Sequence, residues 1–401
     1  MIKLVNYFLA SAVLVSALSC KQKWEIKEVA SDEVTSISSD SLLKVRYQKL
    51  LDYAPDSLSF PRSYSEEKGI RKVNSRDWTA GFFPGSLWKI YQLTNNPAYK
   101  KQAAVWTDFM EKEKYDTHTH DTGFKVFCSF GSGLQTEENE AYEDVVVQTA
   151  KTLSTRFNEN VGCIRSWDFN AKEWEFPVII DNMMNLELLF EATKISGDSS
   201  YYKIAEKHAN TTLENHFRSD NSTYHVVVYD SINGSVKDKV THQGFNDESG
   251  WARGQAWAIY GYTMTYRYTK DPKHLDIAKA VLDYYLNHDN LPKDGIPYWD
   301  FNDPDIPNAP RDVSAATIVA SACLELYSYT ESDIYLNYAN KVLENLKSEE
   351  YLLNPEVEAP FILKHSTGNW PKNDEIDEPI NYGDYYFLEA LVRQKGSPSP
   401  N

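Results

Sequence analysis

Residues 242–257 read His-Gln-Gly-Phe-Asn-Asp-Glu-Ser-Gly-Trp-Ala-Arg-Gly-Gln-Ala-Trp and pack imidazole, amide, carboxylate, guanidinium and indole groups into one short stretch. Asp247, Glu248 and Ser249 read as a helix start, because short acceptors satisfy the free amides of a first turn. The helix they open runs through apolar residues to about Tyr268, and Arg253 and Trp257 lie four apart on one face. An arginine is disfavoured at a helix N-terminus unless it shares an anion with the helix amides. The alternative is an arginine paired with Asp247 or Glu248 beside two core tryptophans.

Other stretches carry similar groups. Asp181 follows the apolar run Phe176–Ile180 and heads a helix that continues through Leu186, Leu188, Leu189 and Phe190. It reads either as an N-cap or as a partly desolvated acid between Ile180 and Met183, usable near neutral pH. In Thr119-His120-Asp121-Thr122-Gly123, Asp121 either caps a turn, meets sugar hydroxyls or tunes a second carboxylate. Trp78, in a Gly/Pro-bearing loop before a helix, is a sugar platform or a core plug; Trp167 poses the same choice. Tyr224–Tyr229 reads as a short strand in an insertion, its His225 either structural or ligand-facing. Asp312 or Ser314 opens a later helix, and residues 365–372 gather hydroxyls, an amide and Lys372, a loop able to hold a sulfate on a substrate or nothing.

The elements that position these groups follow from a repeated junction. Thr94–Ala103, Ser196–Ala205, Thr269–Ala278 and Thr330–Ala339 align with a hydroxyl first, usually Asn or Asp third, a ring sixth and Ala tenth. Each joins one apolar helix to the next, with a cap, a proline at N1 in two copies, and a small residue where helices approach. Repeated helical hairpins form a solenoid or close into a ring. Insertions at 71–84, 117–136, 163–181, 218–256 and 287–312 hold the rare residues and are expected at the end opposite the tight turns.

A chain of 401 residues, 42% hydrophobic, supports a large core, and ten Trp with 27 Tyr suit apolar sugar faces as well as thick helical cores. A net charge of −17 argues against nucleic acid and polybasic membrane docking, without excluding a small anion held locally. Lys3, the apolar run Phe8–Leu18 and Ala17-Leu18-Ser19-Cys20 read as a secretion signal, with Cys20 the lipidated residue of a bacterial lipoprotein or cleavage occurring nearby. Residues 21–38 form a polar tether, 39–395 the folded domain and 396–401 a loose tail. The expected location is periplasmic or outer-membrane-anchored, with no protein partner indicated. Cys128, Cys163 and Cys323 form no disulfide framework and no metal spacing, so buried free thiols are expected.

Taken in order, RDWTAGFFPGSLW, HDTGF, DNMMNLELL, THQGFNDESGWARGQAWAIYGY, DGIPYWD and YGDYYFLEAL resemble family 88 of the glycoside hydrolases, the unsaturated glucuronyl hydrolases, over nearly all the chain after the tether. The resemblance implies an all-α fold, an (α/α)6 barrel of six helical hairpins, with no metal and no organic cofactor. It implies Asp181 as general acid and base and Asp121 as the second essential aspartate. His120, His225, Gln243, Arg253 and Trp257 then line a uronate subsite with Trp78 and Trp167 as aromatic walls. The implied substrates are unsaturated uronate oligosaccharides of glycosaminoglycan or ulvan type. An unsaturated rhamnogalacturonyl hydrolase type of enzyme, or a glycan-binding lipoprotein without use for a desolvated acid, is the alternative.

Overall fold

The computed structural model of the protein describes residues 39–396. The readings of Cys20, of the signal and tether, and of residues 397–401 lie outside the described residues. Twelve helical segments follow one another: α1 (Ser39–Asp52), α2 (Phe82–Thr94), α3 (Pro97–Asp108), α4 (a π-helical stretch Gly123–Gly131 running into Ser132–Leu134), α5 (Glu140–Ser154), α6 (Leu186–Ser196), α7 (Ser199–Asn215), α8 (Ala252–Thr269), α9 (Pro272–Asn287), α10 (Val313–Thr330), α11 (Asp333–Leu346) and α12 (Asn381–Gly396). The even-numbered helices form a closed inner ring, α12 packing on both α2 and α10. The odd-numbered helices stand outside it, giving an (α/α)6 barrel. Five hairpins are continuous in sequence; α12 and α1, from the two ends of the domain, complete the twelve.

Composition explains the two layers. In α8, every residue from Ala252 to Thr265 is buried, and in α10 every residue from Val313 to Leu324. Both are rich in Ala, Ser, Thr and Gly, which allow close approach of a helix buried on all sides. Outer α11 buries Tyr335, Leu336, Tyr338, Ala339, Val342, Leu343 and Leu346, a single apolar stripe at helical spacing. Short strands lie in the insertions: the hairpin β1 (Phe60–Ser65) and β2 (Gly69–Val73), the pair β3 (Phe157–Asn158) and β4 (Cys163–Ile164), and the antiparallel sheet β5 (Phe176–Ile179), β6 (Val226–Tyr229), β7 (Val236–Val240). Cys128, Cys163 and Cys323 are buried and free, as expected.

The repeated junction closes four hairpins in one way. Thr94, Ser196, Thr269 and Thr330 each donate their hydroxyl to the carbonyl four residues back. The next residue, Asn95, Gly197, Lys270 or Glu331, adopts a left-handed conformation. Asn96, Asp198 and Asp271 then cap the following helix through the amide two residues on, while Ser332 makes no such bond. The ring at position six and the alanine at position ten are buried in all four copies. These turns sit at the C-terminal ends of the inner helices, so the insertions crown the N-terminal ends.

This division of labour makes a testable separation. Asp271→Ala removes a cap far from the insertions and should lower stability by about 1 kcal/mol. Urea midpoints should report that loss while the chemistry at the other end is unchanged.

Candidate active site

The N-terminal ends of the inner helices converge, and their partial positive charges favour an anion or developing negative charge between them. Trp78 precedes α2, Asp121 precedes α4, Asp181 sits in a 3-10 turn (Ile180–Asn185) before α6, and Arg253 lies in the first turn of α8. With Phe124, Trp167, Ile179 and Gln243 these residues line one pocket. Four of the five insertions thus supply pocket residues, and the fifth supplies Asp312.

Local packing explains why the two aspartates meet. A Cβ on Gly123 would stand 2.6 Å from the Cα of Asn185, so only glycine lets the segment after Asp121 lie against the Asp181 turn. Asn185 then accepts the Phe124 N–H at 2.9 Å and fixes the register. Asp121 is held locally: Thr119 Oγ1 donates to it at 2.9 Å, and His120 Nε2 lies 3.2 Å from its Oδ1.

Asp181 is buried, and its Oδ2 has no hydrogen-bond partner among the described residues. Its carboxyl is raised to about 7, first by burial, then against the opposing pull of the Arg253 charge and with a further push from Asp121. The nearby Trp257 indole pulls the other way, toward the ionised form. Asp181 is not the N-cap of a helix; it lies within the 3-10 turn, whose cap residue Ile179 belongs to β5.

His225 faces the same oxygen, its Nε2 lying 3.6 Å from Asp181 Oδ2. Its Nδ1 accepts the backbone amides of His242 and Gln243 at 3.1 and 3.2 Å. A neutral ring that accepts at Nδ1 carries its proton on Nε2, so the N–H is aimed at Asp181. Burial holds the His225 pKa well below the usual value, which keeps the ring neutral.

Arg253 is buried and already bonded. One amino group donates to Asp312 at 2.8 Å and to the Thr367 carbonyl, the other to the Gly368 carbonyl. Its partner is therefore Asp312, not Asp247 or Glu248. Those two do not open the helix either. Asp247 accepts the Thr241 amide, and Ser249 donates to Asp300 at 2.7 Å. The first helical amide, Ala252 N–H, goes instead to the Trp299 carbonyl, because Trp251 bridges Asp300 before α8 begins. Asp312 also caps α10 by accepting the Ser314 amide, as its position suggested.

The pocket gathers Trp78, Asp121, Trp167, Asp181, Gln243 and Arg253, whereas His120, His225 and Trp257 are buried and do not line it. Phe124 and Ile179 are wall residues that the sequence reading passed over, though both lie inside motifs it had marked. Trp167 extends outward as an aromatic group, stacked on Phe169 at 4.8 Å and tilted against Trp174 and His242.

The buried acid costs stability in a defined pH window. The carboxyl titrates near 4 when unfolded and at about 7 when folded, so across that range the native state holds the extra proton. Stability conferred at low pH is then lost as pH rises through the window. Asp181→Asn removes the titration, so the variant should be more stable than wild type at pH 8, with the gap closing toward pH 4. Urea midpoints at the two pH values check this, on the order of 1 kcal/mol per pKa unit.

Comparison with known proteins agrees with this architecture. The model of Glycosyl Hydrolase Family 88 matches residues 58–288. An unsaturated glucuronyl hydrolase of Formosa agariphila is 58% identical over 98% of this chain and 98% of its own. An unsaturated chondroitin disaccharide hydrolase of Streptococcus pneumoniae is 33% identical over 86% of this chain and 87% of its own. The crystal structure of an unsaturated glucuronyl hydrolase specific for heparin superposes with a TM-score of 0.86 at 42% identity, covering 89% of this chain and 96% of that one. With this fold, this pocket and these likenesses, the chain belongs to glycosyl hydrolase family 88.

Proposed function

We propose that this enzyme removes the 4,5-unsaturated uronic acid from the non-reducing end of lyase-generated oligosaccharides by hydrating its enol ether. The observation that carries the reading is Asp181, a buried carboxyl with one unpartnered oxygen at the edge of a pocket and a pKa of about 7. Such a group is half protonated near neutrality, where an acid that must also serve as a base works best.

The chemistry balances with one residue. Asp181 gives its proton to C4 of the ring, and positive charge develops at C5, shared with the ring oxygen. Water adds at C5 and returns a proton to the Asp181 carboxylate. The resulting hemiketal opens and expels the neighbouring sugar. No displacement occurs at the anomeric carbon, so an opposed pair of carboxylates is not needed. Asp121 supports the protonated form of Asp181 by like-charge repulsion. Arg253 and the converging helix ends suit the substrate carboxylate, and Trp78 and Trp167 suit the sugar faces.

The substrate class is an unsaturated uronate oligosaccharide of glycosaminoglycan or ulvan type. The first is supported by relatives named for chondroitin disaccharides and for heparin. Export with lipidation at Cys20 and a tether over 21–38 is supported by the residues of that segment alone. Cys20→Ala should move the protein from the membrane fraction to the soluble one.

Ultraviolet absorbance tests the reaction, because the conjugated enol-ether carboxylate absorbs and its hydrated product does not. Wild-type protein should bleach unsaturated disaccharides, and kcat should fall as pH rises above about 7, where the acid loses its proton. Asp181→Asn should lose at least about a thousandfold in kcat while still binding. Retained turnover in that variant would remove Asp181 from the mechanism.

A further inference from the structure

The segment 365–378 lies beyond the residues matched by the family model, yet its backbone bonds two residues that line the pocket. It is a tight turn-back closed by the bridges Ser366–Glu378 and Asn369–Asp374. His365, Asn373, Glu375 and Asp377 all hold left-handed conformations, at φ of 64°, 49°, 55° and 58°. Side chains other than glycine adopt that region only at a cost, which the surroundings must offset.

Two bonds from this segment go to pocket residues. The carbonyl of Gly368 accepts from Arg253 and from Gln243 Nε2, the latter at 3.1 Å. One backbone oxygen thereby sets two side chains that lie 115 and 125 residues away in sequence. The Gly368 amide in turn donates to the Glu375 carbonyl at 2.7 Å. A Cβ at position 368 would stand 2.8 Å from the Glu375 side chain, so the two residues are pressed together.

The Glu375 carboxylate, buried, continues the chain of contacts. Arg62 grips it with a two-pronged pair of bonds, Nε to Oε1 and Nη2 to Oε2, each 2.7 Å. The remaining amino group of Arg62 donates to both oxygens of Asp77 at 3.0 and 2.8 Å. Asp77 Oδ1 accepts the Thr79 amide and hydroxyl, which fixes the turn that carries Trp78. The guanidinium also stands 5.9 Å from the Trp78 ring centre.

We infer that Arg62 and Glu375 are positioning residues: their two-pronged ion pair ties the Gly368 carbonyl, and through it Arg253 and Gln243, to the turn that presents Trp78. Pocket residues from separate segments are thereby held in one register, although neither charged residue lines the pocket. The inference rests on the reading of the pocket as the uronate subsite. An ion pair used only to stabilise the fold would leave the affinity of correctly folded protein unchanged. One that aligns the walls acts on substrate affinity even at full folding.

The experiment compares kcat and KM of Arg62→Ala, Glu375→Gln, the double variant and Arg62→Lys on an unsaturated uronyl disaccharide, with thermal melts alongside. Arg62→Ala and Glu375→Gln should each raise KM about tenfold with kcat within about threefold of wild type. The double variant should be no worse than the poorer single, because the two residues act as one unit. Arg62→Lys keeps the charge without the fork, should melt close to wild type, and should still raise KM by about threefold or more. That variant carries the test if Arg62→Ala fails to fold. Unchanged KM in folded variants of an active enzyme, or additive losses in the double variant, would overturn the inference alone. Wild-type protein inert on every unsaturated substrate would overturn the functional reading and this inference with it.

Discussion

An ionised Asp181 would forfeit more hydration than its surroundings replace, and burial therefore drives its carboxyl toward the protonated form near neutrality. The rest of the pocket is compatible with that constraint. A neutral His225 adds no positive charge beside it, because burial and two backbone amides at Nδ1 keep the ring in one uncharged tautomer. The Arg253 charge pulls the acid toward its ionised form. Here the guanidinium is already bonded to Asp312 and two carbonyls, so its pull on Asp181 is smaller than the effect of burial. The pocket thus keeps a buried cation and a protonated carboxyl together.

A raised carboxyl is not by itself a mark of chemistry in this fold. Asp384, on α12, is also pushed up to about 7 by burial. Its two oxygens accept the amides of Ile362 and Leu363, each at 2.9 Å, and it lines no part of the pocket. Asp384 is a spacer for backbone ends that would otherwise be orphaned. Asp181 differs in having an unpartnered oxygen and an open face. Geometry separates the two where their titration does not.

Much of this was legible in the sequence because it depends on local contacts. The four junctions announce themselves through a hydroxyl, a buried alanine and, in three of them, a cap, all within ten residues of sequence. Asp121 and Asp181 were legible as acids beside turn glycines and apolar runs. The contacts that sequence reasoning missed span long separations. Arg253 finds Asp312 across 59 residues and Gly368 across 115, while Arg62 finds Glu375 across 313. The expected cap at Asp247–Ser249 failed for the same reason, since the Trp299 carbonyl, remote in sequence, took the first amide of α8. His120, His225 and Trp257 were marked by type, but nothing local shows that they sit behind the pocket rather than on its wall.

Asp181 holds a proton near neutral pH while Asp121 and Arg253 stand beside it. Carbon-detected NMR of the protein labelled at its aspartate carboxyls, titrated from pH 4 to 9, reads that proton directly, and the Asp181→Asn variant assigns the signal by its disappearance. The signal lost in the variant should titrate at about 7. A lost signal that titrates in the ordinary aspartate range, near 4, would contradict it.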